Sequence, residues 1–192
     1  YMMPPGLSFV ALSNKAWKAA KNSNLPKFYL DLQQYRKAAD KNSNPFTPAV
    51  NLYFGLDAAL DMMKAEGLTT IFERHLRHRK ATQAAMKAMN LSLFADEESG
   101  SPAITSVEPK NVDAELLRKT ILDHFDILLA GGQDHLKGKI FRIGHLGFVN
   151  DRDVLTVIAA IEATLQTLGI ANFDRGSGVY AATQILNRSP VN

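Results

Sequence analysis

The stretch Lys139-Ile140-Phe141-Arg142-Ile143-Gly144-His145-Leu146-Gly147 places one guanidinium inside an apolar run. An arginine keeps its proton and a buried charge is costly, so Arg142 must meet an anion or reach water. Its planar fork fits a carboxylate through two parallel N–H···O bonds. Two readings stand side by side: a head that reaches the surface over a packed stem, or a receptor for a carboxylate substrate. A second candidate is Thr47-Pro48, where a hydroxyl stands beside the free amides of a helix start. Such a start can hold a phosphate, although most hold only water. His75 and His78 are three residues apart, a spacing that suits a metal, but Arg74, Arg77, Arg79 and Lys80 surround them and no third ligand stands nearby. That run reads as a solvated basic face, and no metal is expected. Gly176-Ser177-Gly178 lacks the Lys-Ser/Thr of a P-loop and the third glycine of a dinucleotide turn, so it reads as a flexible hinge. His124 sits at a helix end, where an imidazolium is simply favourable. No serine-centred elbow and no close pair of catalytic carboxylates is present.

These residues need elements to position them. The 192 residues are 46% hydrophobic, enough for a real core. The net charge of +3, from 22 basic and 19 acidic residues, is small and scattered, so nucleic acid is not expected as a partner. Cysteine is absent, which excludes disulfides and thiolate chemistry. No apolar run of about 18 residues offers a membrane span. Leu7 to Leu12 reads as a strand entered through Pro4-Pro5-Gly6. Ser13 or Asn14 caps a helix over 15–21, and a second helix runs from Lys27 to Asp40. Thr47 as N-cap and Pro48 in the first turn open a helix that Gly67 stops. A long helix follows from Leu68 to about Met89.

From Asn90 onward the texture changes. Leu91 to Phe94 and Ala103 to Val107 read as strands, and Asn111 or Asp113 starts a helix through His124. Ile127 to Leu129 and the Arg142 segment read as the next two strands. Asn150 with Asp153 opens an amphipathic helix whose stripe is Val154, Val157, Ile158, Ile161, Leu165 and Leu168. Strand, strand, helix, strand, strand, helix describes an α/β sandwich with helices on one sheet face. A last helix covers 179–186.

Pro4-Pro5-Gly6, Asn44-Pro45-Phe46-Thr47-Pro48-Ala49-Val50, Asp123-His124-Phe125-Asp126-Ile127, Gly131-Gly132 and the Arg142 stretch together resemble the class V aminotransferases, with the alanine–glyoxylate or serine–pyruvate branch nearest. The resemblance is collinear from Tyr1 to about Leu168. Sequences of this branch are sometimes labelled as the small subunit of a soluble hydrogenase, and the Gly-Ser-Gly-Val tail is similar to that group. The resemblance implies the type I fold of pyridoxal-phosphate (PLP) enzymes, here as the end of the large domain plus a small α/β sandwich domain. The division expected is 1–100 for the large-domain part with its interface helices, 101–170 for the small domain and 171–192 for a tail.

By the same resemblance, Arg142 holds the α-carboxylate of a small amino acid or keto acid. Thr47 and Asn44 contact the PLP phosphate of the partner subunit in a cytoplasmic homodimer, and the apolar helix after Pro48 lies near the dimer interface. The lysine that anchors the cofactor, the aspartate that pairs with its ring nitrogen and the aromatic that stacks on it lie upstream of Tyr1 in this pattern. The sequence therefore looks like a C-terminal half that needs its own N-terminal half, carries no catalytic residue and is inactive alone. The other expectation is a non-catalytic interaction subunit associated with a soluble hydrogenase.

Overall fold

The computed structural model describes residues 1–187, so the last five residues of the expected tail lie outside the described residues. The described chain falls into two compact units, Tyr1–Ala65 and the residues from Glu66 onward.

In the first unit, helix α1 (Asn14–Asn22) is capped by Ser13, whose hydroxyl accepts from Ala16 N. Helix α2 (Leu32–Ala39) begins later than the sequence suggests, because Asp31 turns its carboxylate onto Gln33 N and becomes the cap. Helix α3 (Val50–Glu66) also starts late. The carbonyl of Ala49 accepts from Tyr53 N, so the cap position falls on a residue without a side-chain acceptor, and neither the Thr47 cap nor the Pro48 first turn forms. Residues 7–12 are not a strand. No described segment forms a ladder with them, and Phe9 and Val10 stay exposed. The aromatic rings of Phe28, Tyr29 and Tyr35 gather around Phe46 instead of forming a deep core.

Near the start of the second unit Gly67, at φ +85°, ends α3 and releases helix α4 (Leu68–Ala88). Strands β1 (Ser92–Leu93) and β2 (Ile104–Glu108) follow, then helix α5 (Ala114–Phe125). Asp113 caps α5 by accepting from Glu115 N and Leu116 N, and Asp126 closes it in the left-handed conformation. Strand β3 is Ala130–Gly131, later than the 127–129 expected. The carbonyl of Leu129 accepts from the Arg118 side chain at 2.8 Å, and the ladder with β4 pairs Ala130 and Gly131. Strand β4 (Phe141–Gly144) carries Arg142, and helix α6 (Asp151–Thr167) opens with the Asn150–Asp153 capping box that the sequence shows. Helix α7 (Ser177–Leu186) completes the unit.

The four strands form one antiparallel sheet in the order β1-β2-β4-β3. Alternation along the strands sends Val107, Phe141 and Ile143 to one face. There they join Ala81, Ala85 and Met86 of α4, Leu117 and Ile121 of α5, Val154, Ile158, Ile161 and Leu165 of α6, and Ala182 and Leu186 of α7 in one core. Each large apolar side chain buried in this way contributes about 1.5–3 kcal/mol. The core fixes the register of β4 and so decides which face Arg142 occupies. No helix among the described residues is long and apolar enough to cross a membrane.

Candidate functional site

Arg142 stands directly opposite Ser106 of β2 on one side and Ala130 of β3 on the other. Directly opposed residues share a face, so this guanidinium leaves from the face turned away from the core. Its neighbours in the ladder are small, and Gly144 lies two residues along on the same face. The Arg142 Nε donates to the Gly131 carbonyl at 2.9 Å. No acidic side chain among the described residues forms an ion pair with it. One donor is thus committed to the protein, and the two Nη nitrogens remain for an anion. A hollow of about 320 Å³ opens beside it, with Ile104, Leu128, Leu146 and Val157 supplying apolar walls. The arrangement suits a small carboxylate with an aliphatic remainder.

Asn44 and Thr47 are both exposed in the loop ahead of α3. Asn44 borders a hollow of about 390 Å³ with Pro48, Val50, Tyr53, Phe54 and Asp57. Amide and hydroxyl donors next to the first turn of a helix are of the kind that phosphate oxygens accept from. They stand in the first unit and Arg142 in the second.

The run around His75 and His78 is not a solvated basic face. His78 has no exposed surface, and its Nε2 lies 2.8 Å from an Asp151 carboxylate oxygen, which also accepts from Arg77. Arg74 grips Glu66 with two nitrogens, at 2.6 and 3.0 Å, and donates to the carbonyls of Gly147 and Val149. His75 takes part too: its Nδ1 sits 2.7 Å from the Ile71 carbonyl, which makes that nitrogen the donor and leaves Nε2 to accept from Gly147 N. The charges that look solvated in sequence tie α4 to the segment just after β4. The partners at Gly147, Val149 and Asp151 lie more than 70 residues away, so no local pattern could reveal them.

His145, directly after β4, is buried with Nε2 2.9 Å from the Thr105 hydroxyl. Burial first, then the nearby His78, pushes its pKa down to about 4. His78 also titrates below the ordinary imidazole range, because burial outweighs the Asp151 hydrogen bond. The Glu66 carboxyl is held low chiefly by its Arg74 hydrogen bonds.

The Gly176-Ser177-Gly178 segment is a helix start, not a hinge. The buried carboxylate of Glu162 accepts from Gly176 N and, at 3.2 Å, from Gly178 N, while Ser177 Oγ donates to the Ala88 carbonyl. The amides that a phosphate would need are already satisfied by a protein anion. A Cβ at Gly178 would stand 2.9 Å from Met89 Sδ, which accounts for the glycine there.

No protein-family model matches the chain. Over 97% of its length it is 60% identical to the soluble hydrogenase small subunit of a Synechococcus species, and over 95% it is 41% identical to an uncharacterized aminotransferase of Methanocaldococcus jannaschii. The crystal structure of pyridoxamine–pyruvate aminotransferase from Mesorhizobium loti superposes with a TM-score of 0.84 at 30% identity, covering 92% of this chain and 46% of that one. The chain spans about half the length of the curated relatives it matches.

Proposed function

We propose, from the premise that the homologues of this chain are class V aminotransferases of the alanine/serine–glyoxylate branch, that its whole polypeptide transfers an amino group from alanine or serine to glyoxylate or pyruvate. The observation that carries this reading is Arg142, raised on the open sheet face with Nε held by Gly131 and its two Nη nitrogens unpaired by any described acid. In this reading Arg142 binds the α-carboxylate end-on and fixes the orientation of the reacting carbon. Ser106, Ala130 and Gly144 leave room above it, and the apolar walls offer contact to the aliphatic remainder of the acid. Bound PLP supplies the electron sink for the amino-group exchange. Thr47 and Asn44 would hold its phosphate, contributed across a homodimer to the partner's site, with residues 1–100 in the large domain and 101–170 in the small one.

The test is Arg142→Lys in the complete polypeptide. A point charge replaces a two-pronged fork, and kcat/KM for glyoxylate is expected to fall about 100-fold. An unchanged kcat/KM overturns the receptor assignment.

A second reading is favoured by the soluble hydrogenase name of the Synechococcus relative: the scaffold serves as a non-catalytic interaction subunit. The two separate on adding PLP to the complete polypeptide, which turns yellow as an aminotransferase and stays colourless as a pure scaffold.

A further inference from the structure

Strand β3 is only two residues long and lies at the sheet edge, so its ladder with β4 is a weak tether. A second tether comes from α5. Arg118 Nε donates to the Leu129 carbonyl at 2.8 Å, and its Nη1 pairs with Glu115 Oε2 at 2.7 Å, three residues back on the same helix. A Cβ built on Gly131 would stand 2.5 Å from Arg118 Nη1 and 2.7 Å from Glu115 Oε1. The ion pair therefore lies flat against the bare Cα of Gly131. On the other side of that peptide, the Gly131 carbonyl receives Arg142 Nε. Glu115, Arg118, the 129–131 backbone and Arg142 form one continuous chain of contacts from helix to receptor.

We propose that Arg118, oriented by Glu115, is a positioning residue for the carboxylate receptor, an inference that rests on reading Arg142 as that receptor. Arg118 acts through the Gly131 peptide. It fixes the edge strand whose carbonyl commits Arg142 Nε, and this aims the two Nη nitrogens at the incoming carboxylate. If β3 drifts, the fork turns with it and the paired hydrogen bonds lose their alignment. Gly131 is glycine because any side chain would displace the clamp.

Two variants of the complete polypeptide test this from opposite directions. Arg118→Met keeps the packed stem and deletes the clamp, while Gly131→Ala keeps the clamp residue and pushes it aside. Each is expected to raise KM for glyoxylate about tenfold with kcat held within about twofold, the pattern of binding lost equally from ground and transition states. Arg118→Lys retains a donor without the fork and is expected to recover part of the loss. Exchange of the Arg142 Nε–H with solvent, followed by NMR, is a readout independent of turnover. It is expected to quicken about tenfold in Arg118→Met as the Gly131 hydrogen bond opens more often. Arg142→Lys is the control. If it collapses kcat/KM while Arg118→Met and Gly131→Ala leave both KM and Nε–H exchange unchanged, the positioning role is overturned and the receptor stands. If Arg142→Lys leaves kcat/KM unchanged, the receptor reading fails and the positioning role falls with it. Parallel losses in kcat and thermal stability, without a separate change in KM, mark a structural residue and also overturn the inference.

Discussion

Phe54 in the first unit is 71% exposed, whereas Phe141 in the second has no exposed surface. The contrast extends well beyond two phenylalanines. Among the described residues, Ala59 is the sole fully buried apolar residue before Glu66, while the second unit builds a core from its sheet and four helices. Leu25, Phe28, Tyr29, Leu30 and Tyr53 all keep half or more of their surface in solvent. The first unit is held by helix caps and by a small aromatic cluster that joins Phe28, Tyr29 and Tyr35 to Phe46 without a deep core. The second unit is held by side chains that meet across long stretches of sequence. Local devices specify where helices start, and a shared core specifies a register precise enough to aim a guanidinium.

Replacement of a matched pair tests the contrast most severely. Phe141→Ala is expected to cost about 3–5 kcal/mol in chemical denaturation of this chain, from lost burial plus a cavity. Phe54→Ala is expected to change stability by no more than about 0.5 kcal/mol. Comparable losses at the two sites would erase the distinction between the units.

Acid is the next lever, and it acts on the second unit. His145 has a folded pKa pushed down to about 4, below its unfolded value, so the neutral ring contributes stability above the unfolded value. That contribution is lost as pH falls from about 6.5 to 4 and amounts to about 3 kcal/mol, with His78 moving in the same direction. Urea midpoints measured across this window should fall, and His145→Asn should flatten the fall. An unaltered slope in the variant would remove His145 as the cause.

Glu162→Gln sharpens the picture at smaller scale. It keeps the shape but removes the anion that meets the Gly176 and Gly178 amides, and about 1–2 kcal/mol of stability should go with it. Amide exchange should rise first within α7, and unchanged protection there would show that the carboxylate is not what holds the helix start.

Much of this was legible in the amino acids alone. Asp113 and the Asn150–Asp153 box act within three residues of themselves, so the starts of α5 and α6 follow from sequence. Gly67 ends α3 for the same local reason. The alternation that sets Phe141 and Ile143 apart from Arg142 is also a property of the strand, and it marks that arginine before any neighbour is known. What sequence could not supply was partnership. The residues 7–12 look like a strand, but a strand exists only where another offers a ladder. The cations around His78 look solvated until Asp151, Glu66 and the carbonyls after β4 come to meet them. The glycines at 176 and 178 look mobile until Glu162 arrives from α6. Short-range hydrogen bonds and side-chain periodicity are written in adjacent residues and survive in any context. Burial, the pairing of Asp151 with Arg77 and His78, and the aim of Arg142 belong to residues far apart in the chain, and tertiary packing alone brings these together.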